Sequence, residues 1–551
     1  TLNILNTGIL GTISFSPTGN TLGTFYINRP TAGTLVTLNS PLLVENTFTL
    51  QDGDFLNTSG LSFSNGADVT RFNTAAFSAG SAIPGGGPYN LFYSGTTLTA
   101  GVEARGNLEN LTSNLSGTLT AGGDITVANT LSVNSGTFAC GANTISTDIL
   151  NLSGTLNAQT STISLTGNFI NNGTFNRNTG TVQFNGNSTL GGLNNPSFQN
   201  VVINGVLTPP STFNVHGSFT NNGLFNNSGT GTVAFLGTAA TPQIVSGSTV
   251  TNFHNISVSN TSAVPDVIIE SNQNMTGVLT LALTATFDAD GAANNRIFTL
   301  ISSSDDPTQD AAIAPFPNAG AQVQGNVTVQ RFMSLEGTND RIYRYISSPV
   351  QNATVADIQN EIPVTGSFTG SSVCSGCLTN ASMFRYDETV TTGGIDDGYV
   401  AFPVASNAET LTSGRGYAIF IRGNIEPFLS AGSALWNVRG PVNRDNINYG
   451  VTFTSSGIPA NDGWNLVGNP YPSTMDWDAP SGWTRTNISG TIYTRNNATG
   501  QYAVYTSGSG GLNGGSRYVA MGQGFWVQAT GAAPNIDRKS TRLNSSHLVI
   551  S

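Results

Sequence analysis

At 551 residues the chain is long enough for two or more domains, each with a core of its own. Charged residues make up 9% of it, where about 25% is usual, and the formal net charge is −11. Without clustered Lys and Arg it has no electrostatic footprint for nucleic acid or anionic lipid, and no apolar run of about 18 residues marks a membrane-spanning helix.

Gly, Thr, Ser and Asn dominate, yet Val, Ile, Phe and Thr are spread throughout. β-branched and aromatic side chains suit a pleated, half-buried surface, so the composition predicts many short strands joined by turns rather than disorder.

From the N-terminus the chain reads as stacked coils. Gly117-Thr118-Leu119, Gly136-Thr137-Phe138, Gly154-Thr155-Leu156 and Gly173-Thr174-Phe175 recur every 18 or 19 residues, and Gly205-Val206-Leu207 to Gly223-Leu224-Phe225 repeats the step. The segment Gly191-Gly192-Leu193-Asn194-Asn195-Pro196 between the two series reads as an insertion on one coil. Upstream, Gly11-Thr12-Ile13, Gly33-Thr34-Leu35 and Gly53-Asp54-Phe55 keep a looser period near 20. Asn-Gly pairs leave a meander of hairpins as the competing architecture. The regular step with one large apolar residue at fixed phase favours a parallel solenoid, with Leu119, Phe138, Leu156 and Phe175 as an interior ladder and Gly and Asn at corners of positive φ.

After about residue 300 the pattern changes and two copies of one plan appear. Arg344-Tyr345-Ile346-Ser347-Ser348-Pro349, Met383-Phe384-Arg385-Tyr386, Gly398-Tyr399-Val400-Ala401-Phe402 and Gly414-Arg415-Gly416-Tyr417-Ala418-Ile419-Phe420 form the first. Asn465-Leu466-Val467-Gly468-Asn469-Pro470-Tyr471-Pro472, Thr491-Ile492-Tyr493-Thr494, Gln501-Tyr502-Ala503-Val504-Tyr505 and Gly522-Gln523-Gly524-Phe525-Trp526-Val527 form the second. Short alternating runs bounded by Gly, Pro and Asn predict one or two β-sandwiches. The fold class is therefore all-β, a parallel β-helix followed by a duplicated β-sandwich region. The predicted divisions are a solenoid over 1–290, a linker with first strands over 291–335, sandwich copies over 336–425 and 426–536, and a tail over 537–551. Helix is expected only near 354–361.

Asp288-Ala289-Asp290-Gly291-Ala292-Ala293-Asn294-Asn295-Arg296, Gly325-Asn326-Val327-Thr328-Val329-Gln330-Arg331-Phe332, Gly468-Asn469-Pro470-Tyr471-Pro472 and Gly522-Gln523-Gly524-Phe525-Trp526-Val527 together resemble the region before the C-terminal sorting domain in large secreted proteins of the Bacteroidota. The resemblance covers roughly residues 280–530. It implies export by type IX secretion and a place on the cell surface or outside the cell, and it carries no shared catalytic residues. No sorting domain follows Gly531, and the start at Thr1 looks cut, so the chain reads as a fragment. Residues 537–547, DRKSTRLNSSH, resemble the translation of a short-read sequencing adapter, and Lys539 within them is the only lysine. That tail is expected to be artefactual and dispensable.

Chemistry-bearing constellations are sparse. From Ile149 to Pro265 there is no Asp or Glu, and Arg177 is the only strong base, so the best repeats lack the paired carboxylates of a glycosidase. His216 and His254 read as polar positions on coils. Asp288-Ala289-Asp290-Gly291 starts like a calcium loop, but Thr299 stands where the bidentate Glu belongs, so it reads as a turn. Asp305-Asp306 and Asp396-Asp397 read as solvated loop charges. Cys374 and Cys377 have the spacing of a small disulfide loop, and Cys140 reads as a buried small hydrophobe. No catalytic, cofactor or metal residue is expected, with loosely bound calcium the one allowance. Trp526 reads as a buried strand residue, whereas Trp477 and Trp483, beside Asp476, Asp478 and Pro480, are the candidate glycan contacts.

The expected function is a non-catalytic, secreted or cell-surface structural or adhesin-like protein, with the solenoid as a stalk presenting the C-terminal domains. A carbohydrate-binding module is the alternative, and a β-helix polysaccharide-degrading enzyme a third reading. The expected partners are polysaccharide or other cell-surface components.

Overall fold

The computed structural model describes residues 1–539 apart from 9, 31–34, 73, 228, 261–263, 307, 335–341, 374–378, 391–393, 422–432 and 497–498. It is almost all β, with 49% strand and 2% helix, and comprises a parallel β-solenoid of about 14 turns followed by antiparallel sheets. The chain falls into two compact units, one of residues 1–231 with Ser246–Thr249, the other of the remainder.

In the first unit each coil lays short strands in parallel register on the coil before it. Thr144–Thr147, Ile149–Leu152 and Thr155–Asn157 pair with Thr162–Leu165, Phe169–Asn171 and Thr174–Asn176. The predicted ladder is seen directly, since Leu119 partners Phe138, Phe138 partners Leu156 and Leu156 partners Phe175. A second ladder runs Ile145, Ile163, Val182, Val201, Phe219. All but Phe175, which is half-buried, are shielded from solvent. Full burial of such a side chain is worth about 1.5–3 kcal/mol. On the outer faces asparagines stack amide to amide: Asn222 donates to Asn204 at 3.0 Å, and Asn204 to Asn185 at 2.7 Å. These ladders satisfy polar side chains without charge. The insertion predicted at 191–196 is a surface excursion, with Leu193 87% exposed.

Gly11 and Gly53 have the expected positive φ, at +73° and +89°, but most corner glycines of the regular repeats need a different explanation. Among Gly117, Gly136, Gly154, Gly173, Gly205 and Gly223 only Gly136 has a positive φ, at +62°. The others are required by stacking, because a Cβ on Gly173 would lie 2.0 Å from the Gly154 carbonyl oxygen, and one on Gly223 2.0 Å from that of Gly205. Each coil's corner backbone occupies the space that a side chain on the next would need.

One charged pair sits in this apolar interior. Glu103 is fully buried and ion-paired to Arg71. Its Oε1 also accepts from the Tyr93 hydroxyl at 2.8 Å and the Gly101 amide at 2.9 Å, while Arg71 donates to the Ala75 and Thr99 carbonyls. Oε1 carries all of these carboxylate contacts, whereas Oε2 is buried with no partner among the described residues, so the ion pair with Arg71 is what offsets the cost of burying the carboxylate.

In the second unit parallel stacking continues past the expected end at 290. Thr251–Phe253, Gln273–Met275, Phe298–Leu300 and Val327–Met333 pair in succession. The Asp288 motif is a turn inside this stack: Asp288 Oδ1 accepts from the Asp290 and Gly291 amides, and Asp290 Oδ2 accepts from the backbone and side chain of Asn326. The coils here keep the signature only at Gly277-Val278-Leu279, which is why composition placed the boundary too early. Ala434–Gly440 then pairs antiparallel along all of Val327–Met333 and covers that edge.

The two sandwich copies have the same strand order. Ile342–Ile346, Tyr417–Ile421, Met383–Tyr386 and Tyr399–Ala401 lie in that order in one sheet. Their counterparts Trp464–Gly468, Gly524–Gln528, Thr491–Arg495 and Tyr502–Thr506 lie in the same order in the other, with Gly510–Leu512 added at the edge. The sheets clasp each other reciprocally. Ile346 bridges Gln523 while its counterpart Val467 bridges Arg415. The Ser347 amide donates to Gly522 O at 2.9 Å, and the Gly468 amide to Gly414 O at 3.0 Å. Tyr345 and Ala418 meet their counterparts Leu466 and Trp526 in one core between the sheets. The duplication is thus a single interlocked sandwich. The outer face of the second sheet buries Val467, Phe525 and Val527 with Trp477 and Ile536.

The one α-helix among the described residues, Val355–Ile358, starts where expected, its Thr354 cap and Asp357 forming a capping box. The predicted tail boundary at 537 is corrected. Asn535–Lys539 is the middle strand between Asn446–Asn448 and Trp483–Thr486. Arg538 is 4% exposed, lies 4.9 Å over the Trp483 ring and donates to Ser481 O, and its carbonyl accepts from the Tyr471 hydroxyl. Ile536 and Arg538 alternate inward as a strand requires, a fit that the segment's likeness to adapter sequence does not reveal.

Gly173→Ala and Gly205→Ala should each cost about 1–3 kcal/mol, the usual penalty for forcing atoms into a packed site. Gly19→Ala, whose new Cβ meets nothing within 4 Å, should stay within about 0.5 kcal/mol. Urea midpoints followed by circular dichroism check this; equal midpoints for all three would remove stacking as the reason for the corner glycines.

Candidate functional site

Alternation decides which side chains the sandwich presents. In Thr491–Arg495, Ile492 enters the outer core and Tyr493 points to the opposite face. In Gly524–Gln528, Phe525 and Val527 face outward to that core while Trp526 faces the first sheet. A cleft of about 160 Å³ opens there, lined by five aromatic side chains, Tyr399, Trp464, Tyr493, Tyr502 and Trp526, with Ile395 and Asp396.

The walls are fixed by ring contacts and hydroxyl bonds. Trp464 packs edge-on against Tyr493 at 5.2 Å and Trp526 at 6.4 Å, and its indole N–H donates to Ala460 O at 2.9 Å. Tyr345 lies parallel to Tyr502, ring centroids 6.5 Å apart, and its hydroxyl lies 3.0 Å from that of Tyr502 and 3.3 Å from that of Tyr399. The short 3₁₀ turn Ile395–Gly398 closes one side: Tyr386 donates to Ile395 O at 2.8 Å, and a side chain on Gly398 would strike the Tyr386 ring. Tyr502 is 41% exposed, whereas Trp526 is 4% exposed and its buried indole N–H has no acceptor among the described residues.

Burial sets the chemistry of the phenols. It pushes Tyr386 up to about 12, with Glu388 and Asp396 adding to the shift. Burial also raises Tyr399, reinforced by the Tyr345 hydroxyl, and raises Tyr502 with help from its hydrogen bond to Tyr345. Neutral hydroxyls beside apolar ring faces, with one carboxylate in the described lining, suit a ligand that is both flat and hydroxylated. Among the described lining residues Asp396 is the one carboxylate.

The residues singled out from sequence lie elsewhere. Trp477 is fully buried against Val467 and Phe525 and donates to Gly490 O at 3.0 Å. Trp483 is partly buried, 4.9 Å from Trp477, and donates to Asp476 O. Trp477 is a core residue, a correction to its reading as a glycan contact, and Trp483 borders the same core from a partly exposed position. The neighbouring carboxylates suggested a wet surface, but Asp476 is 2% exposed and gripped by Arg517 at 2.6 and 2.7 Å, and Asp478 accepts from Tyr505 and Ser507. Trp526 is the buried strand residue expected, and it is also the floor of the cleft. Cys374 and Cys377 lie outside the described residues. Cys140 is buried, and desolvation pushes its thiol up to about 12. His254 pairs with the Thr276 hydroxyl at 3.2 Å, and burial lowers its pKa. Among the described residues no three His, Cys, Asp or Glu converge as a metal site.

Tyr399, Tyr493 and Tyr502 stood in the quoted motifs only as strand residues. The available signal was their alternation with Val400, Ile492 and Ala503, which puts aromatics on the face opposite an apolar one. No protein-family model, curated protein or solved structure matches the chain.

The raised phenols set a pH window. Unfolded tyrosines ionise near 10, so the stabilisation by Tyr386, Tyr399 and Tyr502 is complete below about pH 10 and is lost as pH rises through their folded values. Ultraviolet titration should show a subset of the 14 tyrosines ionising only as the chain unfolds, with Tm falling from about pH 10 upward. Free titration of every tyrosine near 10 would contradict the buried cluster.

Proposed function

We propose that the chain is a non-catalytic, secreted or surface-displayed adhesive protein that holds a carbohydrate in the aromatic cleft of its sandwich, with the solenoid as a scaffold. The observation that carries this reading is the convergence of Tyr399, Trp464, Tyr493, Tyr502 and Trp526 on one opening. Sugar rings offer C–H faces to aromatic planes and hydroxyls to neighbouring polar groups, and the cleft provides both. The solenoid faces, free of Asp and Glu from Ile149 to Pro265 and lined with asparagine ladders, suit a scaffold, since extended repeat surfaces commonly serve binding or spacing. The resemblance of residues 280–530 to type IX secretion cargo supports a place on or outside a bacterial surface, and polysaccharide or other surface components as partners.

Affinity electrophoresis of the full chain through a panel of polysaccharides, with released reducing and unsaturated ends measured alongside, tests this. Retention by at least one polysaccharide should fall tenfold or more, about 1.4 kcal/mol, in Trp464→Ala and in Tyr502→Ala, and hold in Trp477→Phe. Cleavage abolished by Asp396→Asn would replace the adhesive reading with an enzymatic one.

A further inference from the structure

Beside the cleft lies a second, smaller pocket of about 50 Å³, and its lining is unlike the rest of this charge-poor chain. Arg331, Arg344 and Arg495 converge on it with Asp305, Tyr345 and Gln523. Two of these guanidiniums come from different sheets of the sandwich, Arg344 from Ile342–Ile346 and Arg495 from Thr491–Arg495.

The guanidiniums are not equally satisfied. Arg331 donates to Asp310 at 2.7 Å and to Asp305 O at 3.3 Å. Asp305 also accepts from the Ser334 amide at 3.0 Å and from its hydroxyl. Arg344 is 4% exposed and donates from Nη2 to Ser334 O, but its Nε and Nη1 are buried without any acceptor among the described residues. The Nε of Arg495 is likewise buried and unpartnered there, while its guanidinium lies 5.6 Å over the Tyr502 ring. Among the described residues Asp305 and Asp310 offset two of the three positive charges, which leaves an excess of one. Leaving a buried cationic donor unpaired costs more than an ordinary lost hydrogen bond. A planar guanidinium matches the oxygens of carboxylate or sulfate.

We infer that this pocket binds one oxoanion, a carboxylate or a sulfate, through Arg344 and Arg495. At about 50 Å³ against about 160 Å³ for the cleft, it is the smaller of the two openings and suits the anionic group, with the sugar ring in the cleft. Tyr345 lines the pocket while its hydroxyl bonds Tyr502 and Tyr399 of the cleft, so pocket and cleft share a wall. The ligand class is therefore an acidic saccharide, a uronate or sulfated sugar with its ring in the cleft and its anion on the arginines. That last clause rests on the carbohydrate reading; the oxoanion site does not.

Equilibrium dialysis of the full chain against radiolabelled sulfate, glucuronate and glucose tests both. Sulfate should bind saturably at one per chain, at least tenfold more weakly in Arg344→Met and at least threefold more weakly in Arg495→Gln. Circular dichroism checks folding, and if Arg344→Met fails to fold, the half-buried Arg495 position decides the outcome. No saturable sulfate binding, or equal binding by the folded variants, overturns the oxoanion site. Glucuronate should bind more tightly than glucose and lose affinity in Trp464→Ala, which removes a cleft wall and no guanidinium. Sulfate binding with glucuronate no better than glucose overturns the acidic-saccharide clause and leaves the anion site standing.

Discussion

At a set of glycines in both kinds of fold, a neighbouring strand stands where a side chain would be, and the packing of each depends on that approach. In the coils a carbonyl oxygen stands where the Cβ of Gly154, Gly173, Gly205 or Gly223 would be. In the sandwich a Cβ on Gly416 would lie 2.4 Å from Val467 O, and one on Gly468 2.2 Å from the Cβ of Ser347. Conformational freedom is secondary at these positions. What matters is the missing side chain, which lets parallel strands stack at β spacing and lets the two sheets exchange the bridges Ile346 to Gln523 and Arg415 to Val467.

The geometry of the aromatic cleft follows from that clasp. Once Tyr345 and Trp526 are pressed into one core, alternation along each strand forces Tyr493, Tyr502 and Trp464 onto the same side, and the 3₁₀ turn at Ile395 to Gly398 brings Tyr399 and Asp396 to meet them. The arginine pocket has the same origin, because Arg344 and Arg495 sit on strands from opposite copies of the duplicated plan. A chain that economises on charge nearly everywhere has placed several of its few arginines around a single opening.

The stacked coils were legible because a solenoid repeats its constraint at each turn: the phase of Gly-Thr-Leu marks a corner and an interior ladder at once. The duplicated sheets were legible for a similar reason, two copies of one motif order. Three things were not. The coils from 251 onward satisfy the same stacking with Gln, Asn and Phe largely in place of the signature, so parallel pairing runs past 290 to Val329. Arg538 stands in the segment read as an artefactual tail but is packed on Trp483. Trp477 and Trp483 drew attention for the acids beside them, yet Arg517, Tyr505 and Ser507 neutralise or bond those acids. Pairing between distant strands determines which aromatic is core and which is cleft, and one-dimensional spacing holds only half of that information.

The position of a bound sugar discriminates most directly. A crystal of the full chain soaked with the oligosaccharide that it retains should show a ring against Trp464 and Tyr502, over Trp526, with any acidic substituent turned toward Arg495 and Arg344. A ring found instead on the solenoid faces, or on the outer sheet beside Trp483, with the cleft holding only water, would contradict a carbohydrate site between the sheets.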